Sequence, residues 1–242
     1  MSFQTDFQRL EKKYLLNENQ YSLLRKGLKP YMQTDRFGLH TITSIYYDTP
    51  GHELIRYSLS HPLFKEKFRV RRYGKETDEE ILFAEIKKKF KGVVYKRRTC
   101  CTREELPLLL CPGNEIREEK DPQIRREIRH MFERYDLFPA AVIAYEREAL
   151  FCPGDDNLRI TFDSNLRGCK AEGLNFFPER WDRIPANEPD VKYIMEIKFP
   201  SAAPLWLAGL LSECGVFPHS FSKYGTWYLN SIGKNKNDLP VK

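Results

Sequence analysis

The sequence predicts an α+β fold in which antiparallel strands dominate and a few helices flank them. Two observations carry this. Charged residues recur two apart around an apolar one, as in Arg69-Val70-Arg71, Glu85-Ile86-Lys87 and Glu196-Ile197-Lys198. Residues i and i+2 of a strand share a face, so each triplet sets two charges on one side and an apolar side chain on the other. In addition, β-branched and aromatic runs end in turn residues and are interrupted by a few amphipathic helical stretches.

In chain order, residues 7–16 predict a first strand. Asn17 to about Pro30 predicts a helix, because Asn17 can cap it, Gln20 lies three residues on, and Tyr21, Leu24 and Leu28 share a face. Residues 41–48 are β-branched and aromatic, and Thr49-Pro50-Gly51 closes them with turn chemistry. Strands are expected at about 65–74, 81–90 and 93–101, with Lys91-Gly92 as a hairpin turn. Thr102 and Glu105 form a capping box before a short helix. Asp121-Pro122 opens a longer helix with Ile124, Ile128, Met131, Phe132 and Tyr135 on one face. Strands return at 141–150, 157–163 and 191–199. A helix from Ser201 to Cys214 stops at Gly215, a short helix covers 222–232, and the Lys/Asn-rich tail at 233–242 is expected to be disordered. No linker or repeat divides the chain, so residues 1–242 read as one domain with its core at about 7–232.

Composition narrows the function classes. With 242 residues, 41% hydrophobic and 13% aromatic, the chain can bury a core and is not disordered overall. Its formal charge of +6 is too modest to identify an anion-binding protein, so charge position matters more than charge total. The six cysteines show no zinc-like spacing, and His40, His52, His61, His130 and His219 form no cluster. GxxxxGK[ST] and GxGxxG are both absent, which argues against a Gly-rich nucleotide loop. No secretory signal or membrane-length apolar run is visible, and the cytoplasm is the expected location. Tyr46, Tyr47, Trp181, Trp206 and Trp227 read as core aromatics.

Read as strands, the alternation groups Arg69 with Arg71, Glu85 with Lys87 and Lys89, and Lys96 with Arg98. It groups Tyr145 with Arg147, Arg159 with Thr161 and Asp163, and Glu196 with Lys198. One such pair is the ordinary solvated face of an antiparallel sheet. A cationic member on nearly every strand is different, because like charges facing each other across strands destabilise a sheet unless counter-charge is present. A bound polyanion supplies that counter-charge.

The order of the motifs resembles the VTC domain, the polyphosphate polymerase branch of the CYTH-like triphosphate tunnel metalloenzymes. The resemblance runs from about Phe7 to about Leu229. It rests on RLEKKYLL, SIYYDTP, KFRVRRYG, FAEIKKK with VVYKRR, AYEREAL, LRITFD, YIMEIKFP and FSKYGTWY. It implies an eight-stranded antiparallel β-barrel whose lumen is lined by basic side chains. It also implies that Lys13, Arg69, Arg71, Lys87, Lys96, Arg147, Arg159, Lys198 and Lys223 act on phosphate, with Lys89 and Arg98 beside them. Lys223 rests on the resemblance alone. Glu196 would be the metal-binding carboxylate, for Mn²⁺ or Mg²⁺. Glu11 and Glu85 would serve as counter-ions to neighbouring lysines, and Asp48 and Asp163 would either assist the metal or cap strand ends.

One detail separates branches. Tunnel triphosphatases typically begin Glu-x-Glu-x-Lys, whereas this chain has Arg9-x-Glu11-x-Lys13. Loss of a carboxylate weakens a two-metal hydrolytic site, and an added guanidinium favours phosphate grip. The resemblance therefore implies transfer of a phosphoryl group from ATP to inorganic polyphosphate, with no nucleic-acid partner. A metal-dependent triphosphatase or polyphosphatase and a non-catalytic polyphosphate binder stay open. So do the oligomeric state, a separate membrane partner, and a place at the inner face of a membrane.

Overall fold

A computed structural model describes residues 10–74, 81–91, 93–111, 121–186, 190–200 and 202–232. Within them the chain forms β1 (Leu10–Leu16), α1 (Glu18–Leu28), β2 (Gln33–Thr34), β3 (His40–Asp48) and α2 (Glu53–Leu59). Next come β4 (Phe64–Tyr73), β5 (Leu82–Phe90), β6 (Val93–Cys101), α3 (Glu105–Leu110) and α4 (Pro122–Arg134). The rest is β7 (Phe138–Cys152), β8 (Asp155–Lys170), β9 (Asp182–Arg183), β10 (Tyr193–Phe199), α5 (Leu205–Glu213) and α6 (Lys223–Ser231). The α+β class expected from the alternation is the class observed. None of the described helices is long and apolar enough to cross a membrane. Arg9, Gly92, Ser201 and the 233–242 tail lie outside the described residues.

The fold has two compact units. The first takes its described residues from Met1–Thr41, Tyr145–Leu166 and Arg183–Ser222, the second from Ile42–Ala144, Arg167–Asp182 and Lys223–Lys242. In the first, strands follow the order β1-β10-β8-β7. Tyr14 and Leu16 of β1, Ile160 and Phe162 of β8, and Met195, Ile197 and Phe199 of β10 bury one face of this sheet. Leu24 and Leu28 of α1 and Leu207 and Leu211 of α5 complete that core. The Asn17 cap forms with both capping-box bonds, since Asn17 Oδ1 accepts from Gln20 N at 2.9 Å and Gln20 Oε1 from Asn17 N at 3.1 Å. Gly27 lets α1 approach α5 closely, because a Cβ there would collide with Leu210.

In the second unit the order is β7-β3-β4-β5-β6. Ile45, Tyr47, Phe68, Val70, Ala84 and Ile86 face a core closed by Leu106 and Leu109 of α3 and by Ile128 and Met131 of α4. The register sets Arg69 opposite Glu85, and Glu85 opposite Arg98. Phe68, Val70, Leu82, Ala84 and Ile86 enter the core, so the alternate positions between them carry Arg69, Arg71, Glu85 and Lys87 to the other face.

Several elements differ from expectation. β8 runs past the expected end at 163 to Lys170, and Asn165 adopts a left-handed conformation (φ 50°) inside it. α2 was unexpected, since its N-terminal amides are satisfied from a distance: Asp48 accepts from Leu54 N at 2.9 Å and Ile55 N at 3.0 Å. α5 starts at Leu205, after extended Pro204 (ψ 145°), and it ends as expected at left-handed Gly215.

Candidate functional site

In the second unit a carboxylate sits at the centre of the charged face. Glu85 is 2% exposed and has four cations around it. Arg69 Nε and Nη2 each approach its Oε2 at 2.7 Å, and Lys96 Nζ lies 2.8 Å from Oε1. Arg71 Nη1 stands 3.9 Å from Oε2 and Arg98 Nε 3.7 Å from Oε1. Burial alone would raise the Glu85 pKa, but Arg69, Arg71 and Lys96 reverse this and hold it far below the usual carboxylate range. Lys96 is pushed down by burial and by the two arginines, with Glu85 acting against them.

The same face continues beyond this cluster. Lys87 is level with Lys67 and Lys96, and Lys89 with Lys65. Burial, Lys89 and Lys87 all lower the pKa of Lys65, as expected where like charges meet. Lys88 points the other way and pairs with Glu127 of α4 at 3.4 Å. On β4–β6, Glu85 is the one carboxylate among the described residues of the charged face.

Two neighbours of this cluster escaped sequence reasoning. Tyr46, taken as a core aromatic, is buried but accepts from Arg69 Nη1 at 3.0 Å. Burial would raise its pKa, yet Arg69, Arg71 and Lys223 bring it down to about 8. Its ring stacks on Tyr224 at 4.8 Å, and Tyr224 donates to Asp48 Oδ2 at 2.9 Å. This anchors α6, whose first residue is Lys223, beside Tyr46. Asp48 is committed to α2 and Tyr224, which is a capping role.

In the first unit, Glu11, Lys13, Glu196, Lys198, Arg159, Thr161 and Asp163 occupy the face opposite its core. Register puts Lys13 across from Glu196 and Glu11 across from Lys198. It puts Thr161 across from Glu196 and Arg159 across from Lys198. Lys198 Nζ lies 3.1 Å from Glu196 Oε1, and Lys13 Nζ donates to Phe221 O at 3.1 Å. Asp163 accepts two bonds from Arg147, at 2.6 and 2.7 Å. Burial opposes the charge on Arg147, but Tyr145, Asp163 and Glu196 hold its pKa well above the usual value. Arg159 pairs with Asp35 at 3.0 Å. The predicted site residues thus fall into two clusters, each described within its own unit.

These side chains can be tested for a divalent ion. Among the described residues, no group of three His, Cys, Asp or Glu side chains could hold a metal. Asp163 is held by two bonds from Arg147, whereas Glu11 and Glu196 lie on the same face as hard oxygen donors, Glu196 beside Lys198 and opposite the buried Thr161 hydroxyl. This fits a Mg²⁺-like ion that binds through one or two carboxylates and draws its remaining ligands from phosphate and water.

No curated protein matches the chain. A candidate adenylate cyclase from Bacillus halodurans is 12% identical, with 89% of this chain and 95% of that chain covered and a TM-score of 0.52. A candidate adenylate cyclase from Vibrio parahaemolyticus is also 12% identical, with coverages of 92% and 98% and a TM-score of 0.48. A candidate adenylyl cyclase from Hippeastrum, described as having a dominant triphosphatase activity, is 15% identical, with coverages of 93% and 97% and a TM-score of 0.44. At such identities the likeness to the first speaks to fold alone, and the other two scores are too low to add to it. The VTC domain profile matches residues 8–230, nearly the whole sequence. With the α+β fold and the charged strand faces already described, that match makes this chain a member of the VTC domain family.

Proposed function

We propose that this chain is a divalent-metal-dependent polyphosphate polymerase, transferring the γ-phosphoryl group of ATP to the end of an inorganic polyphosphate chain. One observation carries the reading. The face of β4–β6 presents Lys65, Lys67, Arg69, Arg71, Lys87, Lys89, Lys96 and Arg98 against the single carboxylate Glu85 among its described residues. Like charges side by side on neighbouring strands are unfavourable, and a polyanion lying along them relieves that. From Lys65 to Arg71 the strand extends ~20 Å, at a rise of ~3.4 Å per residue. A single triphosphate does not reach that far. Membership of the VTC domain family and Arg9, in place of the first carboxylate of the triphosphatase motif, support transfer over hydrolysis.

In this reaction a terminal oxygen of the acceptor phosphate bonds to the γ-phosphorus. The bond from that phosphorus to its β,γ-bridging oxygen breaks, and the electron pair leaves with ADP. The acceptor terminus is already anionic, so no side chain has to remove a proton from it. Arg69, Arg71 and Lys96 supply fixed positive charge for phosphoryl oxygens, and Glu85 keeps them in place without competing for solvent. In the first unit, Glu196 would hold the divalent ion, which when bound would neutralise phosphate charge.

The test is incubation with ATP and Mn²⁺ or Mg²⁺, followed by phosphorus NMR and gel analysis. Long-chain polyphosphate together with ADP is the expected outcome. ADP and orthophosphate alone would overturn it in favour of hydrolysis, and binding without turnover would leave a binding module.

A further inference from the structure

We propose that the Thr161 hydroxyl is a ligand-contact group of the first unit, donating a hydrogen bond to a phosphate oxygen of the bound polyanion. Thr161 is 5% exposed, and its Oγ1 has no hydrogen-bond partner among the described residues. A buried hydroxyl without a partner is costly to keep, and valine would fill the same space in a strand without that cost. The hydroxyl therefore calls for an acceptor from outside the chain.

Its surroundings indicate which kind. Ile160 and Phe162, on either side of Thr161, point into the apolar core, so Thr161 takes the charged face of β8. Glu196 stands opposite it in the register, and Arg159 opposite Lys198 is the next pair along that face. The Glu196 carboxylate is drawn to Lys198 at 3.1 Å, and the Arg159 guanidinium to Asp35 at 3.0 Å. Lys198 and Arg159 together favour an anionic acceptor at this position. A phosphate group is such an acceptor, and the hydroxyl would orient it while the cations hold its charge. Alternation on β8 signals only a polar position here. The register with Glu196 and the missing partner are what assign a role.

This inference rests on the polyanion reading of the site, and the experiment separates the two. Tripolyphosphate binding without metal is measured by calorimetry for wild type, Thr161→Val and Thr161→Ser, with thermal melts of each ligand-free protein. Thr161→Val is expected to weaken binding about tenfold, as for loss of one hydrogen bond to a charged acceptor. Its melting temperature should equal or exceed that of wild type, and Thr161→Ser should bind almost normally. Wild-type affinity in Thr161→Val overturns the inference. So does a fall in its melting temperature, because the hydroxyl would then be structural. Wild-type protein that does not bind tripolyphosphate overturns the polyanion reading, and this inference with it.

Discussion

Glu85 and Lys96 meet across β5 and β6 at 2.8 Å, with the carboxylate buried and the ammonium reaching the charged face. The pair is one spoke of a hub, since Arg69 approaches the other carboxylate oxygen at 2.7 Å. One buried anion thus sets the positions of cations that would otherwise repel each other. Because those cations outnumber it, the cluster keeps a surplus of positive charge for a ligand.

Replacing the hub should therefore be costly in the absence of ligand. Glu85→Gln is expected to lose about 3 kcal/mol, the lower end for breaking a buried pair, because Lys96 and Arg98 have access to solvent. Tripolyphosphate should raise the melting temperature of this variant more than that of wild type, since it replaces the missing counter-charge. The folded pKa of Glu85 is depressed, so its contribution is complete above about pH 4.3 and fades as pH falls from there towards the folded value. Melts across that acid range should show a flatter profile for Glu85→Gln. A variant as stable and as acid-sensitive as wild type would remove Glu85 from this role.

The register makes a second prediction, about direction. Arg69→Ala and Arg71→Ala should each weaken tripolyphosphate binding by about tenfold to a hundredfold, the range for losing a charge-assisted bond. Lys88→Ala should change it less than about twofold, because Lys88 serves a partly exposed pair with Glu127 on the opposite face. Equal losses in all three, measured by calorimetry, would contradict the assignment of faces.

Much of this was legible because strand periodicity turns spacing directly into faces. Arg69, Arg71, Glu85, Lys96 and Arg98 share a side for the same reason that Phe68, Val70, Ala84 and Ile86 share the other. Tyr46 was missed by reading Tyr46-Tyr47 as a pair of core aromatics. The polar alternation Ser44, Tyr46, Asp48 held the signal, and the register shows Tyr46 opposite Arg69 while Tyr47 lies opposite Phe68. Lys223 could not be placed from spacing, since tertiary contacts from Tyr224 to Asp48 and Tyr46 set the position of α6. The start of α2 was hidden for a similar reason. Its cap, Asp48, lies beyond a proline-glycine turn, so no local capping pattern marks it.

Metal dependence should converge on one carboxylate. Glu196→Gln is expected to leave the fold intact, because the side chain lies on the charged face and its neighbours Met195 and Ile197 keep the core contacts. It should reduce metal-dependent turnover by roughly a hundredfold or more, given that a polarising ion contributes several kcal/mol. Mn²⁺ retention in the presence of tripolyphosphate, followed by electron paramagnetic resonance, should fall in parallel. Wild-type turnover and retention together would take the metal role away from Glu196.

Tyr46 makes the cluster sensitive to alkaline pH, with opposite effects on stability and on binding. Its pKa of about 8 lies below the ordinary tyrosine value of about 10. Between those values the folded protein has released a proton that the unfolded chain keeps, so stability rises with pH, by up to about 1.4 kcal/mol per unit. The phenolate formed in that window accepts from Arg69 at 3.0 Å and offsets the positive charge that a polyanion would use. Tripolyphosphate affinity should therefore fall as pH rises through about 8, while the free protein becomes more stable. Tyr46→Phe should abolish both trends, and tyrosinate absorbance should lose the component titrating near 8. If affinity falls equally in wild type and Tyr46→Phe, the alkaline sensitivity comes from the lysines of the face. The arginines would then hold their ligand without regard to the phenol beside them.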